Sequence, residues 1–423
     1  MKFQISFYFS ENLAKLLNKI TAYKKEILKE LFFSGELSGG DIAELTSKSL
    51  PITNKVLSEL VKEDWIAENG YAVSSGGRRP QMFSLVPDVF YIIAVAIDQH
   101  IIQAAIIDAN KKITGTIQSI ELNLKNNPAA LDTLTDFLTD FISNSNIPLE
   151  HIVGIGVGMP GFVDASKGIN HTHFKNAQGS LTTHLTNKTG LPVFIDNDSS
   201  IMALAELRMG AARHSKNAMV INIGWGIGLG MIINGKLFRG ENGFAGEFSH
   251  IPLFLNNKIC DCGKSGCLET ESSLYVMAEK AVKGLEDKPT TMLKDLSLEH
   301  VQETADKVLS AAVKGDKFAV ELLSDTAYNI GRGVAVLVHI INPRQIILTG
   351  RGVTAGKLWL APMQQALNVY CIPRLAENTT VEISLLGKEA GLLGAAALVM
   401  ENLNKDFVLK RMNKESELVT VQS

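Results

Sequence analysis

The chain has 423 residues, 46% of them hydrophobic and 20% charged, enough to bury a large core and build two or three domains. A net charge of −3 excludes a uniformly basic nucleic-acid binder, so any DNA contact must come from local placement. No apolar run approaches the ~18 residues needed to span a bilayer, Met1 to Ser10 lacks the pattern of a cleaved leader, and four cysteines are too few for a disulfide framework; a cytoplasmic protein with no membrane partner is expected.

Residues 1–87 read as a winged helix-turn-helix. Ile27, Leu28, Leu31 and Phe32 recur at helical spacing and mark a helix that ends at Gly35. Ser38-Gly39-Gly40-Asp41 caps a second helix with Ile42, Ala43 and Leu45 on its buried side. Pro51 opens a third, with Val56, Leu57, Leu60 and Val61 inward and Thr53, Asn54, Lys55 and Ser58 outward. Short polar groups and a lysine at the start of such a helix suit base edges and phosphates in a major groove. Two strands follow, at Trp65 to Ala67 and Phe83 to Leu85, and the loop between them carries Gly76-Gly77-Arg78-Arg79-Pro80. Two adjacent guanidinium groups on a hairpin suit a minor groove or a row of phosphates. Thr53, Asn54, Lys55, Arg78 and Arg79 are therefore the expected contacts to operator DNA. A small helical cap packed on the larger domain is the plainer alternative.

The remainder reads as two related α/β lobes, over 88–215 and 216–423, around a cleft. Strand, turn and strand recur from Tyr91 to Ile107 and from Ala218 to Ile233, the second meander ending on the hairpin pair Asn234-Gly235. Helical stretches at Ala129 to Ser143, Ser199 to Met209, Leu274 to Lys283, Glu299 to Val313 and Phe318 to Asn342 lie between and after these meanders. One continuous doubly wound sheet is the alternative.

His250, Cys260, Cys262 and Cys267 form the ligand inventory of a closed Cys3His zinc site, since soft thiolates favour zinc over magnesium or calcium. A reduced cysteine loop and a disulfide are the other readings. Cys371 stands apart and suits a buried apolar position. Residues after Asn404 show no periodicity and read as a tail or a docking helix.

Gly154-x-Gly156-x-Gly158-x-Pro160-Gly161, Asp196-Asn197-Asp198, Gly224-x-Gly226-x-Gly228-x-Gly230, Ala245-Gly246-Glu247-x-x-His250 and the Cys-x-Cys-Gly-x-x-Gly-Cys-Leu-Glu run over 260–269 occur in this order. Together they resemble the ROK family, which joins repressors and sugar kinases. The resemblance implies a two-lobed core of the actin, hexokinase and Hsp70 type behind the winged helix, and a homodimer or homotetramer. It also implies that Asn197, Asp198, Glu247, His250 and Glu269 bind sugar hydroxyls, with Asp198 at the general-base position and His250 using one ring nitrogen for zinc and the other for a hydroxyl.

Three departures from the kinase pattern imply a lost nucleotide site. The family's Asp-x-Gly-x-Thr is Asp98-Gln99-His100-Ile101-Ile102 here. Its Gly-Thr-Gly is Gly224-Trp225-Gly226, and its late Gly-Gly is Gly350-Arg351-Gly352. The expectation is a sugar-responsive repressor without enzymatic activity. The alternatives are an ATP-dependent sugar kinase with a DNA-binding appendage, and a regulator controlled by a protein partner.

Overall fold

The computed structural model describes residues 19–72, 79–175, 177, 179–286, 290–404 and 407. Helix α1 covers residues 19–34, followed by β1 (Glu36–Ser38), α2 (Gly39–Leu45), α3 (Leu50–Lys62), β2 (Ile66–Tyr71) and β3 (Gln81–Leu85). The three strands form an antiparallel sheet ordered β1-β3-β2; β1, between the first two helices, was not anticipated. Ser38 and Asp41 close a reciprocal capping box on α2, satisfying donors that the helix itself leaves open. Lys24 is buried and holds Glu63 at 2.7 Å and Glu59 at 3.3 Å, tying α1 to α3.

Thr53 corrects the sequence reading, which had turned it outward. It lies on the face of Val56, Leu57 and Leu60 and is fully buried. Its hydroxyl bonds the Tyr23 hydroxyl at 2.6 Å and donates to the Ser49 carbonyl at 3.1 Å, so it is removed from any DNA-facing surface. Asn54, Lys55 and Ser58 are exposed as expected, beside an exposed Ile52 that the polarity argument passed over. Arg79 is exposed on the strand connection, whereas Gly76, Gly77 and Arg78 lie outside the described residues.

Beyond Pro87 the chain builds two five-stranded sheets of the same topology. The first takes β4 (Tyr91–Ile97), β5 (Ile101–Asp108), β6 (Ile113–Glu121), β7 (Ile152–Met159) and β10 (Val193–Asn197) in the order β10-β7-β4-β5-β6. Helices α4 (Ala130–Ser143) and α5 (Leu181–Thr189) lie between these strands in the chain, with a short ribbon of β8 (Val163–Asp164) and β9 (Ile169–Asn170). Helix α6 (Asp198–Met209) leads to the second sheet of β11 (Ala218–Ile223), β12 (Ile227–Ile233), β13 (Lys236–Phe238), β14 (Gln345–Thr349) and β15 (Thr380–Ile383). In both, an antiparallel meander of three strands continues into two parallel ones, so two separate lobes replace the single-sheet alternative. Helices α7 (Glu269–Ser272), α8 (Leu274–Gly284), α9 (Val301–Val313), α10 (Lys317–Ile341), α11 (Leu360–Tyr370) and α12 (Pro373–Ala376) belong to the second lobe.

Helix α13 (Ala390–Glu401) departs from the expected boundary at 216–423. It crosses back and packs on β4, β7 and α6 in the core that also holds α1 and Trp65. Ten of its twelve residues are buried, so it has no polar face to show which lobe it covers. The glycine runs serve these close approaches. A Cβ at Gly156 would collide with the Ala395 carbonyl, and one at Gly230 with Ala203 on α6. Cys371 is buried, as expected. Among the described residues no helix is long and apolar enough to cross a membrane.

Candidate functional site

A cleft of about 2000 Å³ opens between the lobes, and Asn197, Asp198, Glu247, His250 and Glu269 all line it. Each arrives from a different device. β10 runs parallel to β7 and ends at Asn197, whose Oδ1 accepts the Ser199 and Ser200 N–H groups at 3.0 and 3.3 Å as the N-cap of α6. Asn197, not Asp198, is therefore the cap, and Asp198 is left to face the cleft from the first helical position. Asp198 Oδ1 accepts the Ser199 N–H at 2.8 Å, and Oδ2 accepts Asn222 Nδ2 at 3.2 Å.

Asn222 was missed at the sequence level. It is the only polar residue in the buried strand Ala218–Ile223, and a lone amide in such a strand is the signal that would have found it.

Burial pushes the Asp198 carboxyl above the ordinary carboxylate range, and the Asp98 charge adds to the shift. Burial likewise raises Glu247 and Glu269, with the neighbouring carboxylates as lesser contributors. Buried oxygens of this kind can accept hydrogen bonds from the hydroxyls of a neutral ligand and disfavour a second negative charge beside them.

His250, Cys260, Cys262 and Cys267 offer ligand atoms that all lie within 4.8 Å of one another. Cys260 Sγ is 3.5 Å from His250 Nδ1, and Cys262 Sγ is 3.6 Å from Cys267 Sγ. A tetrahedral ion with Zn–S of about 2.3 Å and Zn–N of about 2.05 Å requires ligand separations of about 3.6–3.8 Å, so the four groups fit a metal of that size. Burial pushes the Cys260 thiol up to about 12 and raises Cys267 as well; a cation among the sulfurs is what would hold them as thiolates. Gly266 has φ +75° and presses on the Phe254 carbonyl where a Cβ would clash, which closes the loop. Two residues after Cys267, Glu269 begins α7, and its Oε2 faces the Ile227 N–H at 3.4 Å. His250 turns Nε2 toward Glu247 at 3.6 Å, so its two nitrogens address the thiolate cluster and the cleft separately.

Across the cleft, Trp225 is buried and donates its indole N–H to Asp98 Oδ2 at 3.1 Å. Asp98 Oδ1 accepts the N–H groups of His100 and Ile101 at 2.7 and 2.8 Å. The His100 ring meets the indole edge-on at 5.4 Å, and the Arg351 guanidinium lies 5.2 Å from its centre. His100, Trp225 and Arg351, one residue from each of the three segments that depart from the kinase pattern, thus converge on one cluster joining the two lobes.

Residues 92–402 match the model of the ROK family. The chain is 30% identical over 411 residues to the xylose repressor of Caldicellulosiruptor bescii, covering 93% of this chain and 98% of that protein. It is 35% identical over 291 residues to a glucokinase of Halalkalibacterium halodurans, covering 67% of this chain and 88% of the enzyme. A solved ROK family transcriptional regulator, a homologue of the Escherichia coli MLC protein, aligns with TM-score 0.72 at 22% identity, over 92% of this chain and 99% of that one.

Proposed function

The chain belongs to the ROK family, and from that premise we propose that it is a sugar-responsive transcriptional regulator, a repressor in the cytoplasm whose operator affinity changes when a sugar enters the cleft. One observation carries the reading. A cleft lined by Asn197, Asp198, Glu247, His250 and Glu269 for hydroxyls carries on its wall the bulky Trp225, tied to Asp98 by its indole N–H, in the glycine-rich run where phosphoryl transfer favours small residues and free backbone donors. The xylose repressor aligned over nearly the whole chain supports the same choice.

Residues 1–87 act as the reading head, a winged helix-turn-helix. Asn54, Lys55 and the neighbouring Ile52 at the start of α3 meet the major groove, where an apolar side chain suits a thymine methyl. Arg79, with Arg78 beside it in sequence, reaches phosphates or the minor groove. The active assembly is a homodimer or homotetramer, because paired heads read paired half-sites. Zinc bound by His250, Cys260, Cys262 and Cys267 supplies a structural tether for the loop that carries Glu269.

An anisotropy titration of labelled duplexes, spanning the promoter of this chain's own gene and a scrambled control, tests the proposal. The expected result is specific binding that D-xylose or another monosaccharide changes about 5- to 150-fold. Equal affinity for both duplexes would refute it.

The raised carboxylates add a pH prediction. Sugar hydroxyls donate more strongly to ionised oxygens than to protonated carboxyls, and burial in the free protein holds Asp198, Glu247 and Glu269 protonated above the ordinary range near about 4. Sugar binding therefore releases protons and strengthens as pH rises through the raised values. The stability of the ligand-free fold moves the opposite way, because a folded pKa above the unfolded one loses stability as pH rises. Calorimetry in buffers of different ionisation heat, between about pH 5 and 7.5, should record that proton release; uptake, or no exchange, would contradict it.

A further inference from the structure

Helix α6 touches both the cleft and the reading head. Asp198 at its start lines the cleft, and about 16 Å further along, at 1.5 Å per residue, the helix ends at Met209. There the Arg208 guanidinium stacks on Phe33 in α1 with 5.0 Å to the ring centre. Just past the helix, Arg213 Nη2 donates to Ser34 Oγ at 2.8 Å.

Beside it, α13 ends on Glu401, which is paired with both Arg208 of α6 and Lys29 of α1. All three side chains are about a fifth to a third exposed, so the cluster is shielded from bulk solvent without being sealed. One carboxylate thus holds three helices: the one that starts at the sugar, the one that crosses back over the first lobe, and the first helix of the head.

The second lobe bears directly on this rod. Added Cβ atoms at Gly228 and Gly230 of β12 would strike Ser199 and Ala203 of α6, so there is no slack between sheet and helix. On its other side, a Cβ at Gly394 of α13 would strike the Ile201 carbonyl, and one at Gly158 of β7 the Ile201 side chain. A rotation of the second lobe toward a bound sugar therefore shifts α6 and α13 together or slides β12 along α6. Close-packed contacts of this kind move as units rather than deform. A further anchor of the head is Lys111 from the β5–β6 turn, which donates to the Phe32 carbonyl at the end of α1, beside the hydrophobic core that α1 and Trp65 share with the first sheet and α13. That anchor belongs to the first sheet and does not touch α6, so motion of α6 relative to the sheet tilts α1 about it.

We propose that Glu401 is a positioning residue that passes the state of the sugar cleft to the DNA-reading head, by joining the far ends of α6 and α13 to α1 through Arg208 and Lys29. The proposal rests on the sugar-responsive reading above and adds the joint through which the response travels. Glu401 touches neither sugar nor DNA, so its loss separates coupling from binding.

The test uses the full chain with Glu401→Gln and, separately, Lys29→Gln, which cuts only the head's side of the cluster. Calorimetry gives the Kd for D-xylose and D-glucose without DNA, and anisotropy gives the Kd for the promoter duplex with and without saturating sugar. The expected result is a sugar Kd within about twofold of the unsubstituted protein, while the sugar-induced change in DNA affinity shrinks from about 5- to 150-fold to under about twofold. A purely structural role would lower the melting temperature and leave that ratio alone. Should Glu401→Gln fail to fold, Lys29→Gln is read by the same ratio. Retention of the full ratio in a folded variant, with a responsive unsubstituted protein, overturns this inference alone. An unsubstituted protein whose DNA affinity ignores sugar overturns the regulator reading and the joint with it.

Discussion

Replacing Cys267 by serine is expected to reduce bound zinc from about one ion per chain to less than a tenth, and to weaken sugar binding at least about tenfold. Cys267 is fully buried, its sulfur faces Cys262 at 3.6 Å, and its backbone pairs with Pro252. Serine offers a hard, protonated oxygen in place of a thiolate, so one of four ligands is lost outright. The effect reaches the sugar because Glu269 follows two residues later in a helix of only four residues, too short to hold its own orientation. Elemental analysis and calorimetry on the same preparation check both halves. Normal sugar affinity in a zinc-free variant would show that the loop stands without the ion.

Asp198→Asn is expected to weaken sugar binding by about 1.5–3 kcal/mol, roughly 10- to 150-fold, while promoter affinity in the absence of sugar is unchanged. The carboxylate is worth more to a hydroxyl than an amide because its hydrogen bonds are charge-assisted and both its oxygens accept. The same replacement removes a charge that burial disfavours, so the melting temperature should hold or rise. Loss of sugar binding without loss of stability separates a ligand contact from a structural one. If the protein were instead a kinase, Asp198→Asn would abolish sugar-dependent ATP turnover.

Much of this was legible in the sequence where the signal is local. The four candidate metal ligands fall within eighteen residues, so their spacing alone marks them. The two meanders show as alternating apolar strands broken at Asp108 and Asn234-Gly235, and the expected strand ends differ from the structure by a residue or two. What could not be read depends on distant partners. Thr53 was turned outward for its polarity, yet its hydroxyl is satisfied by Tyr23, thirty residues earlier. Helix α13 is apolar on every side, so only the glycine approaches at Gly156 and Gly394 reveal that it covers the first lobe. The residues proposed to bind sugar came from ordered motifs, while Asn222, which bonds Asp198, lay inside a strand whose other residues speak only of burial.

The cluster of Trp225, Asp98, His100 and Arg351 has a physical consequence beyond filling space. It holds the two lobes to one another through a hydrogen bond of 3.1 Å and two ring contacts. A regulator needs closure on sugar alone, and an indole already in place removes the requirement for a second ligand.

The central claim is that the sugar side of the cleft works while the phosphate-donor side does not. Calorimetry of the purified protein with a monosaccharide panel, each titration repeated with millimolar magnesium and ATP, measures both sides at once. The account predicts heat for at least one sugar, no heat for ATP with or without that sugar, and no ADP formed afterwards. Saturable ATP binding with sugar-dependent ADP release would contradict it.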